Sequence, residues 1–349
     1  MAFHFSDTLL LWNRSQNKRH MPWKGQKDVY KVWVSEIILQ QTRVEQGLKY
    51  YECFIKTFPT LEALAKAKDE EVFKLWEGLG YYSRCRNLVS TARFICEKLK
   101  GKFPESFEEI KKLKGIGPYT AAAISSFVFN EPQAVVDGNV YRVLARIFFV
   151  KKPIDTTDGK KFFLKLANKL LDKKQPGIYN QAIMDFGATI CKPVPLCSQC
   201  FFNQVCKAYL KNKIFELPVK EKKTRISKRW FYFFVLQVKE KIAVEQRTEK
   251  DIWQQLYQFP LIEADHEMEI KEILKLAEKK DFLPPARYQL VKTSQQLKQQ
   301  LSHQLILGKF ITLSLKKKPV IKNLLWVTKK EMESLAFPKI INEFIKIGL

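Results

Sequence analysis

Four cysteines, Cys191, Cys197, Cys200 and Cys206, fall within sixteen residues in the pattern C-x5-C-x2-C-x5-C. Thiolates are good ligands for iron and zinc, and four on one short segment enclose a metal without help from the rest of the fold. The segment therefore reads as a metal-bracing loop. Two disulfides are the plainer alternative. Against them, Cys53, Cys85 and Cys96 are isolated and Met1 to His20 does not read as a secretory leader, so a reducing compartment and free thiols are expected.

The chain of 349 residues is long for one core and suits two domains, and its 46% hydrophobic content is ample for both. The N-terminal twenty residues hold only the short apolar run Leu9–Trp12, and the longest apolar stretch, Trp230–Val238, falls short of a bilayer span. No membrane or export role follows, and a cytoplasmic protein is expected. With 61 Lys and Arg against 36 Asp and Glu, the formal net charge of +25 creates a field that attracts polyanions, nucleic acid first among them. A lysine-rich proteome produces the same excess without a ligand, so motifs must decide.

From Ser6 to about Tyr209 the chain reads as successive helices, with apolar residues spaced i, i+3, i+4, as in Leu61, Leu64, Ala65, Val72, Leu75 and Trp76. A charged connector with Pro218 in its middle comes next, carrying Lys211, Lys213, Lys220, Lys222, Lys223, Arg225, Lys228 and Arg229. The domain boundaries expected are 1–209, a linker over 210–229, and 230–349. In the second domain, Trp230–Val238 and Ile242–Gln246 predict a hairpin across Lys239-Glu240-Lys241. Helices are predicted at Met268–Lys279 and Lys329–Ile347, and strands at Arg287–Lys292, Gln304–Leu315 and Leu324–Val327.

Three segments carry chemistry. Leu113-Lys114-Gly115-Ile116-Gly117-Pro118-Tyr119-Thr120-Ala121 places two glycines in a tight turn before an apolar helix, resembling a helix-hairpin-helix. Such a turn aims backbone N–H groups at one phosphate without reading sequence, although a plain helix connection has the same look. Asp137-Gly138-Asn139 directly precedes a helix with Val140, Val143, Leu144 and Ile147 on one face, and either Asp137 or Asn139 reads most simply as an N-cap. Glu36 lies within the apolar run Val32–Leu39, where desolvation would raise its pKa toward that of a general acid working near neutral pH.

In order, Val32-Trp33-Val34-Ser35-Glu36-Ile37-Ile38-Leu39-Gln40-Gln41-Thr42, Leu79-Gly80-Tyr81-Tyr82, the two-glycine hairpin, Asp137-Gly138-Asn139-Val140 and the four cysteines resemble the MutY family of adenine DNA glycosylases, within the endonuclease III-like superfamily. The resemblance runs essentially the whole chain. It implies a mainly α helix-hairpin-helix glycosylase domain with an iron-sulfur loop, followed by a smaller α+β MutT/Nudix-like domain. It implies Glu36 as the general acid and Asp137 as the carboxylate that stabilises the sugar cation. Gln41 and Leu79 would wedge into the duplex, Thr42 and Tyr81 would lie near the lesion strand, Gly115 and Gly117 would meet a phosphate, and Tyr119 and Asn139 would position around the flipped adenine. A four-iron four-sulfur cluster is expected at Cys191, Cys197, Cys200 and Cys206, with zinc as the rival.

Bifunctional members of the superfamily carry a lysine immediately before the hairpin's threonine-alanine pair, and this chain has Tyr119 there, which implies a monofunctional DNA N-glycosylase. The second domain resembles the module that recognises 8-oxoguanine. Ile252–Pro260 fits its tryptophan-to-Phe-Pro segment, and Leu301-Ser302-His303 aligns with a Phe-Ser-His triplet. The spaced glutamates of a nucleoside-triphosphate hydrolase box are not present after it, so no such hydrolysis is expected. Departures from the family are a first cysteine gap of five residues instead of six, Lys114 for a hairpin proline, and Leu301 for phenylalanine. The expected partner is duplex DNA with adenine opposite 8-oxoguanine, bound by a monomer. The rivals are a bifunctional endonuclease III-like lyase and a non-catalytic mismatch-binding protein.

Overall fold

The apolar spacing of the first two hundred residues produces twelve α-helices among the described residues: α1 (Phe5–Ser15), α2 (Val29–Leu39), α3 (Val44–Thr57), α4 (Leu61–Lys66), α5 (Asp69–Leu75), α6 (Tyr82–Lys98), α7 (Phe107–Ile110), α8 (Pro118–Phe129), α9 (Gly138–Phe148), α10 (Thr157–Leu170), α11 (Pro176–Thr189) and α12 (Lys207–Leu210). The structure is a computed structural model and describes residues 4–221, 226–280, 283, 288–319, 321 and 323–349. The chain divides into two units, one of Met1–Lys66 with Arg86–Lys223 and the other of Ala67–Cys85 with Thr224–Leu349.

In the first unit, α8 packs between α2 and α11, and α11 also packs on α1 and α9. Composition explains the order. Every residue of α8 from Thr120 to Ser126 is buried, and five of those seven are Ala or Ser, so neighbouring helix backbones approach closely. Asp28 caps α2, accepting from the N–H groups of Tyr30 at 3.0 Å and Lys31 at 3.4 Å. Pro118 opens α8 with Gly117 as N-cap, and Asp137 caps α9. A side chain at Gly187 would meet Asn139 Cβ at 2.7 Å, so this glycine lets α11 lie against the start of α9.

The second unit contains eight strands among its described residues: β1 (Ser227–Val238), β2 (Lys241–Gln246), β3 (Tyr257–Gln258), β4 (Leu261–Ala264), β5 (Tyr288–Thr293), β6 (Leu297–Gln300), β7 (Gln304–Leu315) and β8 (Leu325–Val327), with helices α13 (Ile270–Lys279), α14 (Lys329–Met332) and α15 (Lys339–Gly348). The sheet runs β3-β2-β1-β7-β5, with β4 on β1, β6 on β7 and β8 on β2. Strand β1 is central, parallel to β7 and antiparallel to β2 and β4. Its run Phe231–Leu236 is buried without alternation because both faces are covered. Tyr232, Phe234 and Leu236 join a cluster with Ile273 and Ala277 of α13. Phe233 stacks on Phe310 at 4.8 Å, and Phe310 on Phe344 of α15 at 4.0 Å.

The predicted hairpin and the strands near Gln304 and Leu324 are present. Arg287, Lys222, Lys223 and Arg225 lie outside the described residues. Sequence reading missed β3, β4 and β6, each of four residues or fewer. The single helix predicted over Lys329–Ile347 is two helices, α14 and α15, with Pro338 as N-cap of the second. Proline has no N–H to continue a helix, so the apolar period survives a break that the backbone does not.

Candidate active site and metal centre

A pocket of about 610 Å³ opens in the first unit, within the roughly 300–1,000 Å³ of small-molecule sites. Its wall takes Glu36 from α2, Gln40, Gln41 and Thr42 from the turn after that helix, Gly117, Tyr119 and Thr120 from the hairpin and α8, and Asp137, Gly138, Asn139 and Tyr141 from the start of α9. The pocket thus brings together six of the residues singled out from sequence besides Gly117: Glu36, Gln41, Thr42, Tyr119, Asp137 and Asn139.

Glu36 is 5% exposed, and burial pushes its carboxyl up to about 7, moderated by a hydrogen bond from Tyr119 and reinforced by the nearby charge of Asp137. Burial likewise holds the Tyr119 phenol well above its ordinary value, so it stays a donor. Asp137 is the N-cap expected of it and also faces the pocket. Its Oδ1 accepts from the Val140 N–H at 2.7 Å and its Oδ2 from Asn139 Nδ2 at 2.8 Å. Burial raises the Asp137 pKa, while these bonds and the Arg142 guanidinium favour the charged form. The helix N-terminus adds its positive dipole end.

Arg142 carries the arrangement onward. Its Nη2 donates to Asn139 Oδ1 at 2.8 Å and to the Gly187 carbonyl at 2.8 Å, and its Nε donates to the Cys191 carbonyl at 2.7 Å. A hydrogen-bonded path therefore runs from the Asp137 carboxylate to the first cysteine of the loop.

All four loop cysteines line one small pocket with Arg146, Phe186 and Ile190. Arg146, 4% exposed, gathers the loop: its guanidinium donates to the carbonyls of Lys192 at 2.6 Å, Pro193 at 2.9 Å and Ile214 at 3.1 Å, and lies 3.7 Å from Cys191 Sγ. Two of these carbonyls, those of Lys192 and Pro193, lie in the five-residue gap between Cys191 and Cys197. Burial raises all four thiols, Cys200 to about 12, so a compensating cation is needed to hold them as thiolates. A single zinc would draw its thiolates to about 2.3 Å from one point. Among the described residues no three His, Cys, Asp or Glu side chains are grouped to hold an ion in that way. Four thiol donors lining one pocket suit a soft metal centre, of iron or of zinc.

Of the two hairpin glycines, Gly117 lines the pocket and Gly115 does not. Gly115 has φ +79°, and a Cβ there would lie 2.5 Å from Asn87 Cβ, so glycine is required twice over. Both Gly115 and Gly117 are exposed, and their N–H groups have no acceptor among the described residues. Leu79, Tyr81, Ser302 and His303 belong to the second unit. Leu79 is 7% exposed, and Tyr81, 42% exposed, is the side chain its turn presents to solvent. Ser302 and His303 occupy the exposed tip between β6 and β7, and the Tyr81 hydroxyl hydrogen-bonds Ser302 Oγ.

Sequence reasoning missed Arg19, Trp23, Gln181 and Met184, which complete the pocket wall. It also missed Asp185, whose side chain has no exposure and accepts from Arg19 Nη1 at 2.9 Å, Lys24 Nζ at 2.8 Å, Asn17 Nδ2 at 2.9 Å and Gln181 Nε2 at 3.2 Å. The polar Asn180, Gln181 and Asp185 on an otherwise apolar α11 were the available signal. Residues 16–28 offered none, since they keep no period.

Comparison with known proteins agrees with this geometry. Residues 34–169 match the HhH-GPD superfamily of base excision DNA repair proteins, and residues 231–346 match the NUDIX domain. The chain is 40% identical over 262 residues to an adenine DNA glycosylase of Buchnera aphidicola subsp. Baizongia pistaciae, covering 73% of each protein. It belongs to the adenine DNA glycosylase family. The human adenine DNA glycosylase is 44% identical over 214 residues, which is 58% of this chain and 39% of that protein. Among solved structures, a thermostable thymine-DNA glycosylase superposes with a TM-score of 0.55 at 29% identity, covering 59% of this chain and 95% of that one. This family member has no helix, among its described residues, that is long and apolar enough to cross a membrane.

Proposed function

We propose that the enzyme binds duplex DNA as a monomer and hydrolyses the N-glycosidic bond of adenine, preferring adenine opposite 8-oxoguanine to adenine opposite guanine. The observation that carries the reading is a single pocket wall bearing a buried carboxyl whose pKa is pushed up to about 7, so that a large share keeps its proton near neutral pH, and a second carboxylate hydrogen-bonded at a helix N-terminus. Residues 1–209 apart from 67–85 perform the chemistry, 210–229 link, and 230–349 together with the 67–85 segment read the opposite base. The reading extends to a cytoplasmic enzyme working at the nucleoid, where duplex DNA would be met.

Adenine leaves poorly as an anion. Glu36, protonated, gives its proton to a ring nitrogen as the bond to C1′ breaks, and the base departs neutral. Asp137 stabilises the oxocarbenium-like sugar through its negative charge, and water adds at C1′, its proton returning to the Glu36 carboxylate to complete hydrolysis. Tyr119 and Asn139 hold the two carboxyl groups, one by each hydrogen bond, and in place of a lysine nucleophile Tyr119 supplies no amine for a Schiff base. The target base must leave the stack to reach the pocket, while the exposed N–H groups of Gly115 and Gly117 grip a phosphate. Gln41 and Thr42 at the pocket mouth, with Tyr81, Leu79, Ser302 and His303, are assigned to the duplex around the lesion.

Cys191, Cys197, Cys200 and Cys206 would hold a four-iron four-sulfur cluster, which supplies a cross-link that fixes the loop and α12 beside α9 and α11. The four thiols line one pocket and offer the soft donors that such a body takes.

The test is release of free adenine from duplexes bearing adenine opposite 8-oxoguanine, guanine or thymine. Release is expected from the first two, faster from the first, and no release from either would overturn the reading. Alanine at both Ser302 and His303 is expected to abolish the preference while excision persists, and an unchanged preference would remove them from lesion reading.

A further inference from the structure

Tyr81 is a half-exposed tyrosine at φ +50°, a left-handed backbone that a non-glycine residue keeps only where its surroundings hold it. The surroundings are specific. Arg84, one turn on at the start of α6 and 9% exposed, lays its guanidinium 5.3 Å from the centre of the Tyr81 ring and 5.5 Å from that of Trp76. Its Nη2 donates to the Gly80 carbonyl at 3.2 Å, and the same carbonyl accepts from Trp76 Nε1 at 3.1 Å. The Arg84 backbone N–H donates to the Tyr81 carbonyl at 2.9 Å. At the ring's other end the Tyr81 hydroxyl meets Ser302 Oγ.

We propose that Arg84 is a positioning residue for discrimination of the base opposite adenine, acting by clamping the Tyr81 ring between its guanidinium and the Ser302 hydroxyl. The proposal rests on the proposed function, in which Tyr81 and Ser302 meet that base. A planar cation serves two functions at once. Its delocalised charge attracts the electron-rich faces of two aromatic rings, and its edge ties the peptide before Tyr81, so both the ring and its strained backbone are fixed before DNA arrives. A lysine keeps the charge but has neither the plane nor the fork. The second unit thereby presents a rigid reader made from two segments far apart in the chain, the turn at 78–84 and the tip at 301–303. Arg84 touches neither the adenine nor the carboxyl groups that cleave it.

The experiment measures single-turnover excision of adenine opposite 8-oxoguanine and opposite guanine, and takes the ratio of the two rates, in the full-length protein. The variants are Tyr81→Leu, Arg84→Met, the two combined, and Arg84→Lys in both backgrounds. Arg84→Met is expected to lower the ratio about five- to tenfold, in keeping with a desolvated cation–π contact, and to lower it no further when Tyr81 is already leucine. Arg84→Lys is expected to lose most of the preference as well. A loss that a disturbed fold caused would add to that of Tyr81→Leu, and full additivity would overturn the clamp. So would an unchanged ratio in Arg84→Met, or full retention of preference in Arg84→Lys, which also serves if the methionine variant does not fold. An unchanged ratio in Tyr81→Leu alone would instead overturn the assignment of this turn to the lesion, and the clamp with it.

Discussion

Replacing Glu36 with glutamine should stabilise the folded enzyme at alkaline pH while destroying its activity. Glu36 ionises ordinarily at 4.5 and, buried in the fold, at about 7. Below 4.5 both folded and unfolded chains carry the proton, and the group has no effect on stability. Between 4.5 and 7 the unfolded chain releases the proton and the folded chain keeps it, so stability falls as pH rises. Above 7 the folded chain must accept a buried charge, and the full penalty of about 3 kcal/mol applies, at 1.36 kcal/mol for each pH unit. Glutamine has no such penalty. The variant's stability relative to its parent should therefore grow by about 2.5 kcal/mol between pH 5 and pH 8, whatever constant offset the lost carboxyl brings. Paired urea titrations of parent and variant at pH 5, 6.5 and 8 read this difference. A difference that is flat with pH, or that shrinks as pH rises, would show that Glu36 is not the desolvated acid the site requires. The same ionisation sets the rate: single-turnover excision by the parent should decline as pH rises through about 7.

Asp137→Asn should abolish base removal while duplex affinity stays within about tenfold, because its charge acts on the transition state; equal losses in binding and rate would reduce Asp137 to a helix cap. Purified protein should be brown with about four irons per chain, and Cys200→Ser should lose the colour; colourless protein with one zinc would contradict the cluster. Borohydride should trap no efficient covalent complex on an abasic duplex, and efficient trapping would show that an amine attacks the sugar despite Tyr119.

The parts of this enzyme that were legible in its sequence share a local cause. The apolar period announced the helices, although it carried one helix across Pro338, where the backbone breaks. The burial of β1 was legible as an unbroken apolar run, whereas β3, β4 and β6 were too short to show a period and formed because β1, β2 and β7 offered open edges to pair with. Asp137 illustrates the limit within the site. Its N-cap role was readable from Asp-Gly-Asn before an apolar face, but nothing in the sequence could say that the capped helix starts at a pocket wall shared with Glu36. Arg146 is similar: a cation within the apolar stripe of α9, whose five acceptors exist only once the cysteine loop folds back over it.

Residue identity and spacing by themselves determined which groups could react: a glutamate in an apolar helix, a tyrosine where a lyase has lysine, four thiols in one loop, two glycines in a turn. Folding decided which of them meet. The Glu36 pKa belongs to the low-dielectric wall around it and to Tyr119 and Asp137, and the Arg19–Asp185–Gln181 corner and the Tyr81–Ser302 contact join segments that share no local signal. Hydrogen bonds are lost within an ångström or so of their ideal length and charge interactions weaken as separation grows, so chemistry of this kind depends on distance in space, which only the packed chain fixes.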